Sequence, residues 1–200
     1  MTKRYLLLSF ALILVLSSCI VRSSLMFFDS DTVGVPNLLF NPGFNAYSLD
    51  PAQALKGWSV ITEPQGGDNR MIVIDTNQAF EGQTSLRIDA SEKTVMIMSD
   101  AFQVERYGGY YVRLHARSSH SAGPQVSVRF ISFRQDGRIN NRFNSKIKTG
   151  TDWKKGSISA GYLKPGVSFG RVAIMVPPFS EGSVWLDNAG CWKVHHFKID

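Results

Sequence analysis

The sequence has little cysteine, no sustained helical period and no long hydrophobic run. Only two of its 200 residues are cysteine, Cys19 and Cys191, so no disulfide within the chain is expected if the first is modified as argued below. Its composition, 44% hydrophobic and 19% charged, is ordinary for a globular domain and excludes intrinsic disorder for most of the chain. The 22 Lys and Arg residues are scattered rather than clustered, which argues against a nucleic-acid partner.

In place of helical patterns, the chain has short apolar runs separated by turn residues, among them 17 glycines and 8 prolines. So many short strands in one domain predict an all-β fold, a two-sheet antiparallel sandwich or jelly roll. The predicted strands are Gly57–Ile61, Arg70–Asp75, Ser85–Ala90, Thr94–Met98, Tyr110–Arg117, Gln125–Phe133, Lys154–Ser159, Gly170–Val176 and Gly182–Val194.

The N-terminus has the pattern of an export signal. Lys3 and Arg4 precede an apolar run from Leu6 to Leu16. This run is too short for a membrane-spanning helix, which needs about 20 residues, but it suits the core of a secretory signal peptide. Removal of residues 1–18 would lower the formal net charge from +6 to +4, because it takes away these two cations and no acid.

The residues that follow, Leu16-Ser17-Ser18-Cys19, resemble the lipobox of bacterial lipoproteins. The resemblance implies that the Cys19 thiol is joined to diacylglycerol and that the chain is cleaved before it, so that acyl chains hold the protein to a membrane of the cell envelope. Ile20 at the second mature position favours the outer membrane in a diderm cell. The alternative is an ordinary signal peptide with a cysteine near its cleavage site. Residues 19–36 are interpreted as the lipidated N-terminus and a tether, in which Phe27 and Phe28 could dock on the domain or on the membrane.

Strand alternation predicts which side chains face outward. On Tyr110–Arg117, the alternate residues Tyr110, Val112, Leu114 and Ala116 are apolar, which leaves Tyr111, Arg113, His115 and Arg117 on the outer face. On Gln125–Phe133, the core set is Val126, Val128 and Phe130, which leaves Arg129 and Phe133 outside. Aromatic and guanidinium groups are unusual on a merely solvated face.

Rings and guanidinium groups together suit a glycan, because sugar rings stack on aromatics and sugar carboxylates accept hydrogen bonds from arginine. We therefore predict glycan binding, with acidic polysaccharide as one candidate, on the face bearing Tyr111, Arg113 and His115 or on the face bearing Arg129 and Phe133. Consecutive strands of a jelly roll often belong to opposite sheets, so only one of these sets can line a shared groove. Three alternatives remain open. The arginine stems could simply cover exposed rings, the strands could belong to a structural or adhesion protein, or Tyr111, Arg113 and His115 could serve a polysaccharide lyase.

A series of short sequence motifs resembles those of a known family. They are Asn41-Pro42-Gly43-Phe44, Gly57-Trp58, Phe80-Glu81-Gly82, Ser85–Ile88, Asp152-Trp153 and Val184–Asn188, in that order. Residues 37–200 are thereby similar to the jelly-roll carbohydrate-binding modules of the galactose-binding-like superfamily. The resemblance implies a non-catalytic module that binds polysaccharide.

The same resemblance implies a structural calcium ion. In that family a carboxylate at the position of Asn45, an Asp near the last strand and backbone carbonyls hold the metal. Carried over, the ligands would be Asn45, Asp187 and the carbonyls near Gly82 and Ser85. Since Asn45 replaces a carboxylate, one negative charge is lost and the affinity should be lower. The alternative is that Asn45 and Asp187 form hydrogen bonds within turns.

Overall fold

The computed structural model describes residues 25–45, 55–65 and 71–198. They form eleven strands and one short 3₁₀ helix, Asp29–Thr32. The strands are β1 (Trp58–Glu63), β2 (Ile72–Asp75), β3 (Ser85–Ser91), β4 (Thr94–Ser99), β5 (Phe102–Gln103), β6 (Gly108–Ser118), β7 (Gln125–Arg134), β8 (Ile139–Lys148), β9 (Lys154–Ala160), β10 (Val167–Val176) and β11 (Phe179–His196). No helix in these residues is long and apolar enough to cross a membrane.

The strands form two antiparallel sheets packed face to face, which confirms the predicted all-β sandwich. The first sheet has the order β1-β4-β10-β7-β8, with β5 paired to β10, and the second has the order β2-β3-β11-β6-β9. All nine predicted strands are present, at slightly shifted bounds. The sequence analysis missed β5 and β8. Strand β8 is an edge strand in which only Phe143 and Ile147 pack on the core, so it lacks the apolar signal that identified the others.

The core lies between the sheets, and strand alternation predicts its members correctly. Both predicted inner sets, 110/112/114/116 on β6 and 126/128/130 on β7, are no more than 1% exposed. Phe130 packs on Tyr110 with ring centroids 5.3 Å apart. Cys191 also lies in the core, fully buried, and burial raises the pKa of its thiol, as expected of an inert cysteine.

Loops gather at the two ends of the sandwich. We call one the entry end, because Leu25 lies there against Gly161; it comprises residues 104–109, 134–139, 161–166 and 193–198. Backbone hydrogen bonds connect these loops, from the Leu163 N–H to the Arg106 carbonyl and from the Phe197 N–H to the Tyr107 carbonyl. The opposite end, here the distal end, comprises residues 91–94, 119–125, 148–154 and 177–182.

Truncating Phe130 should destabilise the protein, because its ring is fully buried and contacts the rings of Phe102, Tyr110 and Phe143. We expect Phe130→Ala to lower the free energy of unfolding by about 3–5 kcal/mol in urea titrations. The control is Phe28→Ala, at a ring that is 56% exposed. It should change the stability by less than about 0.5 kcal/mol. Similar losses in the two variants would contradict this placement of the core.

Candidate functional site

The outer face of the second sheet is covered by the N-terminal segment. The backbone N–H of Phe27 donates to the Ser159 hydroxyl at 2.7 Å, which docks the chain on β9. The Phe27 ring lies over β6, so close that a Cβ added at Gly109 would be 2.6 Å from it. Residues 25–32 are therefore a docked segment, although 19–36 were predicted to be a tether. Phe27 therefore docks on the domain, which is one of the two placements that the sequence left open for it. Residues 1–24, including Cys19, lie outside the described residues.

Asp29 holds this segment in place. Its carboxylate accepts hydrogen bonds from the Tyr111 hydroxyl at 3.1 Å and from the Arg113 guanidinium at 3.0 Å, and it also pairs with Lys155. Burial alone would raise the pKa of Asp29, but the hydrogen bonds from Lys155, Arg113 and Tyr111 outweigh it and lower the pKa below its usual value. Asp29 is thus a carboxylate bound within the same chain.

Arg113 makes further contacts under this cover. Its guanidinium donates to the Asn188 side chain at 2.8 Å and lies 4.9 Å from the centre of the Trp192 ring. Asn188 has a left-handed backbone, φ 48°, where the register of β11 shifts against β6. The irregularity in β11 therefore positions a polar partner for Arg113.

His115 is covered by a different residue. The Phe80 ring stacks on it with centroids 3.7 Å apart and planes 11° apart. Burial lowers the pKa of His115 to about 4, and the nearby Arg113 charge acts in the same direction. Its Nδ1 atom is buried without a hydrogen-bond partner among the described residues. The imidazole is therefore neutral at pH 7.

Three of the five predicted glycan-binding residues are thus not on an open surface. Strand alternation places Tyr111, Arg113 and His115 on the outer side of β6, as predicted, but Tyr111 is 1% and His115 8% exposed, and only 18% of the Arg113 side chain is accessible. The expectation that they line an open face is wrong, because the N-terminal segment and Phe80 occupy that face. Arg129 and Phe133 lie on the opposite side of the molecule, since β6 and β7 belong to different sheets.

The outer face of the first sheet is arranged in rows across the strands. Residues directly opposite each other in antiparallel strands project from the same face. The strand register defines four rows that cross three or more strands: Ile61-Met96-Met175-Ser127-Lys146, Ser59-Met98-Ala173-Arg129-Asn144, Arg171-Ile131-Arg142 and Gln103-Phe169-Phe133-Ile139. We call this surface the rowed face. Its side-chain hydrogen bonds stay within the first sheet, from Arg171 to Ser99, from Ser127 to Asn144 and from Ser59 to Met98.

Charge on the rowed face is mainly positive. The four rows carry Arg129, Arg142, Lys146 and Arg171 and no carboxylate, and the outward carboxylate of this sheet, Glu63, lies beyond them at the end of β1, opposite Thr94. In the described part of the chain, none of the four cations forms an ion pair. Phe133 and Phe169 stack beside them, with ring centroids 5.0 Å apart and planes 10° apart. The rowed face therefore combines an aromatic platform with four available cations.

Sequence reasoning found Arg129 and Phe133 but missed their neighbours. Arg171 and Phe169 lie on β10, predicted from Gly170 but not analysed for its outer side chains. Alternation would have found Arg171. Arg142 and Lys146 lie on the missed strand β8. No sequence signal indicates that β7, β8 and β10 are adjacent, because pairing between distant strands is decided by the fold.

The side chains of two predicted calcium ligands, Asp187 and Asn45, accept hydrogen bonds. The Asp187 carboxylate accepts from the backbone N–H groups of Phe80 at 2.7 Å, Glu81 at 3.0 Å and Asn188 at 2.6 Å. The Asn45 carbonyl oxygen accepts from the Thr84 hydroxyl at 2.8 Å. The described residues contain no group of three or more His, Cys, Asp or Glu side chains placed to hold a metal.

Ser85 and Gly82 fit the same interpretation. The Ser85 hydroxyl donates to the Gln78 carbonyl at 2.5 Å. Gly82 has a positive φ of 72°, which favours glycine in the turn before β3. The hydrogen bonds of Asp187, Asn45 and Ser85 are those of the turn alternative, and calcium binding through the carbonyls near Gly82 and Ser85 stays a prediction.

Comparison with known proteins supports the fold. No family model and no curated protein matches the sequence. Among solved structures, the module TmCBM61, determined in complex with beta-1,4-galactotriose, matches with a TM-score of 0.56 at 16% identity over 79% of this chain and 99% of its own. A family 16 carbohydrate-binding module matches with a TM-score of 0.55 at 13% identity, over 78% and 99%.

An enzyme domain also matches. The enzymatically active domain of tailspike protein 4 from bacteriophage CBA120 has a TM-score of 0.60 at 12% identity, over 78% of this chain. This chain spans only 21% of the length of that structure. At these identities the likeness shows the fold alone: a two-sheet antiparallel sandwich of the kind found in carbohydrate-binding modules.

The buried His115 predicts a pH dependence of stability. Its pKa is about 4 in the folded protein, against an ordinary value of 6.5, so below pH 6.5 the unfolded chain binds a proton that the folded protein does not. Stability should therefore fall as the pH drops from 6.5 toward 4. In urea titrations, the free energy of unfolding of the parent should fall between pH 7 and pH 5 by about 1–2 kcal/mol more than that of His115→Phe, whose ring can still stack on Phe80. The exposed His120→Gln control should keep the parental dependence; a His115→Phe variant with that same dependence would refute the buried neutral state.

Calcium should not stabilise the protein, since Asp187 is already satisfied by three backbone donors. We expect the melting temperature to be the same with a chelator and with added calcium. A higher melting temperature in calcium, lost in Asp187→Asn, would instead establish the metal site implied by the family resemblance.

Proposed function

We propose that this protein is a lipid-anchored, non-catalytic glycan-binding protein of the cell envelope, and that its rowed face takes polysaccharide bearing acidic groups. The observation that carries the proposal is the set of four cations around the Phe133–Phe169 stack, with no carboxylate in the rows. The sandwich shared with carbohydrate-binding modules supports it. The membrane anchor follows from the lipobox-like residues before and at Cys19.

The cations favour an acidic ligand on physical grounds. A guanidinium donates paired hydrogen bonds to a carboxylate, and such charge-assisted bonds are stronger than neutral ones. Arg129 and Arg142 lie on neighbouring strands and have no anionic partner among the described residues. A uronate or sulfate group is therefore the chemistry that would neutralise this face.

The aromatic row supplies the second element of sugar recognition. The apolar faces of sugar rings pack on aromatic side chains, so Phe133 and Phe169 provide a platform beside the cations. A cavity of about 270 Å³ adjoins Phe169 and Gln103, and its other walls include Tyr110 and Lys193 of the second sheet and Glu105. A chain lying along the rows would thus meet rings and cations.

The geometry favours binding over lyase chemistry. A lyase would need Tyr111, Arg113 and His115 in contact with substrate, but the N-terminal segment and Phe80 cover them. The remaining rival is a structural or adhesion protein that keeps the sandwich without binding sugar, because a fold does not determine a function. Retardation in gels that contain polysaccharide separates the two.

We expect the protein to be retarded in affinity electrophoresis by alginate or polygalacturonate more than by neutral galactan or xylan. Arg129→Ala should weaken this binding about 10- to 100-fold, the effect of losing a hydrogen bond between charged groups worth about 1.5–3 kcal/mol. Phe133→Ala should weaken binding to each retained polysaccharide, whatever its charge, because it removes the stacking surface.

Controls should lie away from the rowed face. Arg106→Ala, at an exposed arginine in the loop before β6, and Phe28→Ala should leave retardation unchanged. Circular dichroism checks that each variant is folded. Mobility unaffected by all four polysaccharides would favour the structural rival, and equal losses in Arg129→Ala and Arg106→Ala would place binding elsewhere.

A further inference from the structure

The docked N-terminal segment brings the start of the described chain to one end of the sandwich. Leu25 packs at Gly161, where an added Cβ would be 2.7 Å from its side chain, and the chain then passes Gly109 to reach Asp29 at the middle of β6. Only five residues lie between Cys19 and Leu25. Because an extended chain spans at most about 3.6 Å per residue, a lipid at Cys19 would be within about 22 Å of the entry end.

The entry end is also the more positive end of the domain. Its four loops contain six cations against two acids: Arg106, Arg134, Arg138, Lys164, Lys193 and Lys198, with Glu105 and Asp136. The distal loops contain three of each: Lys93, Lys148 and Lys154, with Glu92, Asp152 and Glu181. Arg138 and Lys193 pair with the two acids of the entry end. The other four cations there have no ion pair in the described residues, and all four are exposed.

Aromatic side chains lie among these cations. Tyr162 is 64% exposed and stacks on Phe197 with ring centroids 4.2 Å apart. Arg106 lies over the Tyr107 ring, 4.8 Å from its centre. Tyrosine rings next to Arg and Lys are typical of surfaces at the headgroup level of a bilayer, where the ring packs against lipid and the cation meets phosphate.

We propose that the entry end rests on the surface of an anionic phospholipid bilayer, with Arg106, Arg134, Lys164 and Lys198 facing the headgroups and Tyr162 among them. The proposal deepens the proposed function and depends on its lipid anchor. Three observations carry it: the place where the chain reaches the domain, the excess of cations at that end, and the exposed rings.

This contact would set the direction of the rowed face. The strands run between the entry and distal ends. If the entry end lies on the membrane, the strands therefore point away from the bilayer. The rowed face is then at the side of the domain, open to a glycan that runs along the membrane. The Phe133–Phe169 row, at the start of β10, is the row closest to the lipid.

The test uses the lipidated full chain in vesicles of phosphatidylglycerol and phosphatidylcholine, and in phosphatidylcholine alone. A fluorophore is attached at Gln135→Cys in the entry end or, as the matched control, at Ser121→Cys in the distal end. Both positions are exposed, whereas Cys191 is fully buried and unreactive. Lipids carrying a nitroxide on the headgroup quench a fluorophore at the bilayer surface.

We expect quenching at Gln135→Cys in the anionic vesicles, little at Ser121→Cys, and loss of the quenching when Arg106→Glu and Lys164→Glu are added. The matched distal pair, Lys148→Glu and Lys154→Glu, should leave it in place. Sedimentation with the vesicles but equal quenching at the two positions would overturn the orientation and leave the anchor standing. Failure to sediment would overturn the anchor and the orientation together. Retardation by polysaccharide, measured separately, reports on the rowed face in either case.

Discussion

The structure depends on one constraint: each sheet of a sandwich has two faces, and only one of them can be buried in the shared core. Tyr110 and Phe130 meet in that core and hold the sheets together. The outer face of each sheet must then be solvated, covered or used for binding. The two sheets differ here, and the difference determines where a ligand could bind.

On the second sheet, the protein covers the outer face with its own chain. Asp29 neutralises Arg113 and Lys155 at the middle of that face, and Phe27 fills the space above Gly109. Phe80 completes the cover over His115. Arg113 of β6, predicted from the sequence to bind a glycan, therefore holds the N-terminal segment instead. The position of this segment in turn fixes where the chain meets the domain.

On the first sheet, the cations of the outer face form no ion pair with any residue that the structure describes. Arg129, Arg142 and Arg171 come from three adjacent strands, and the aromatic stack lies at one end of their rows. Cations without anionic partners in the protein have to be neutralised from outside the molecule, by ions or by a ligand. The entry end also has more cations than acids, and it lies where the chain arrives from the proposed anchor.

The sequence by itself determined the sandwich, the strand positions and the inner side chains, because alternation along a strand is a local property that a hydrophobic core must obey. It placed Arg129 and Phe133 on an outer face, and Tyr111, Arg113 and His115 on another. Only the tertiary structure decided which of these faces is open. That outcome depends on contacts such as Asp29 with Arg113, which are 84 residues apart in the chain, and on the pairing of the polar edge strand β8 with β7. Contacts at such separations leave no periodic trace in the sequence, so the covering of one face and the exposure of the other could not be predicted from it.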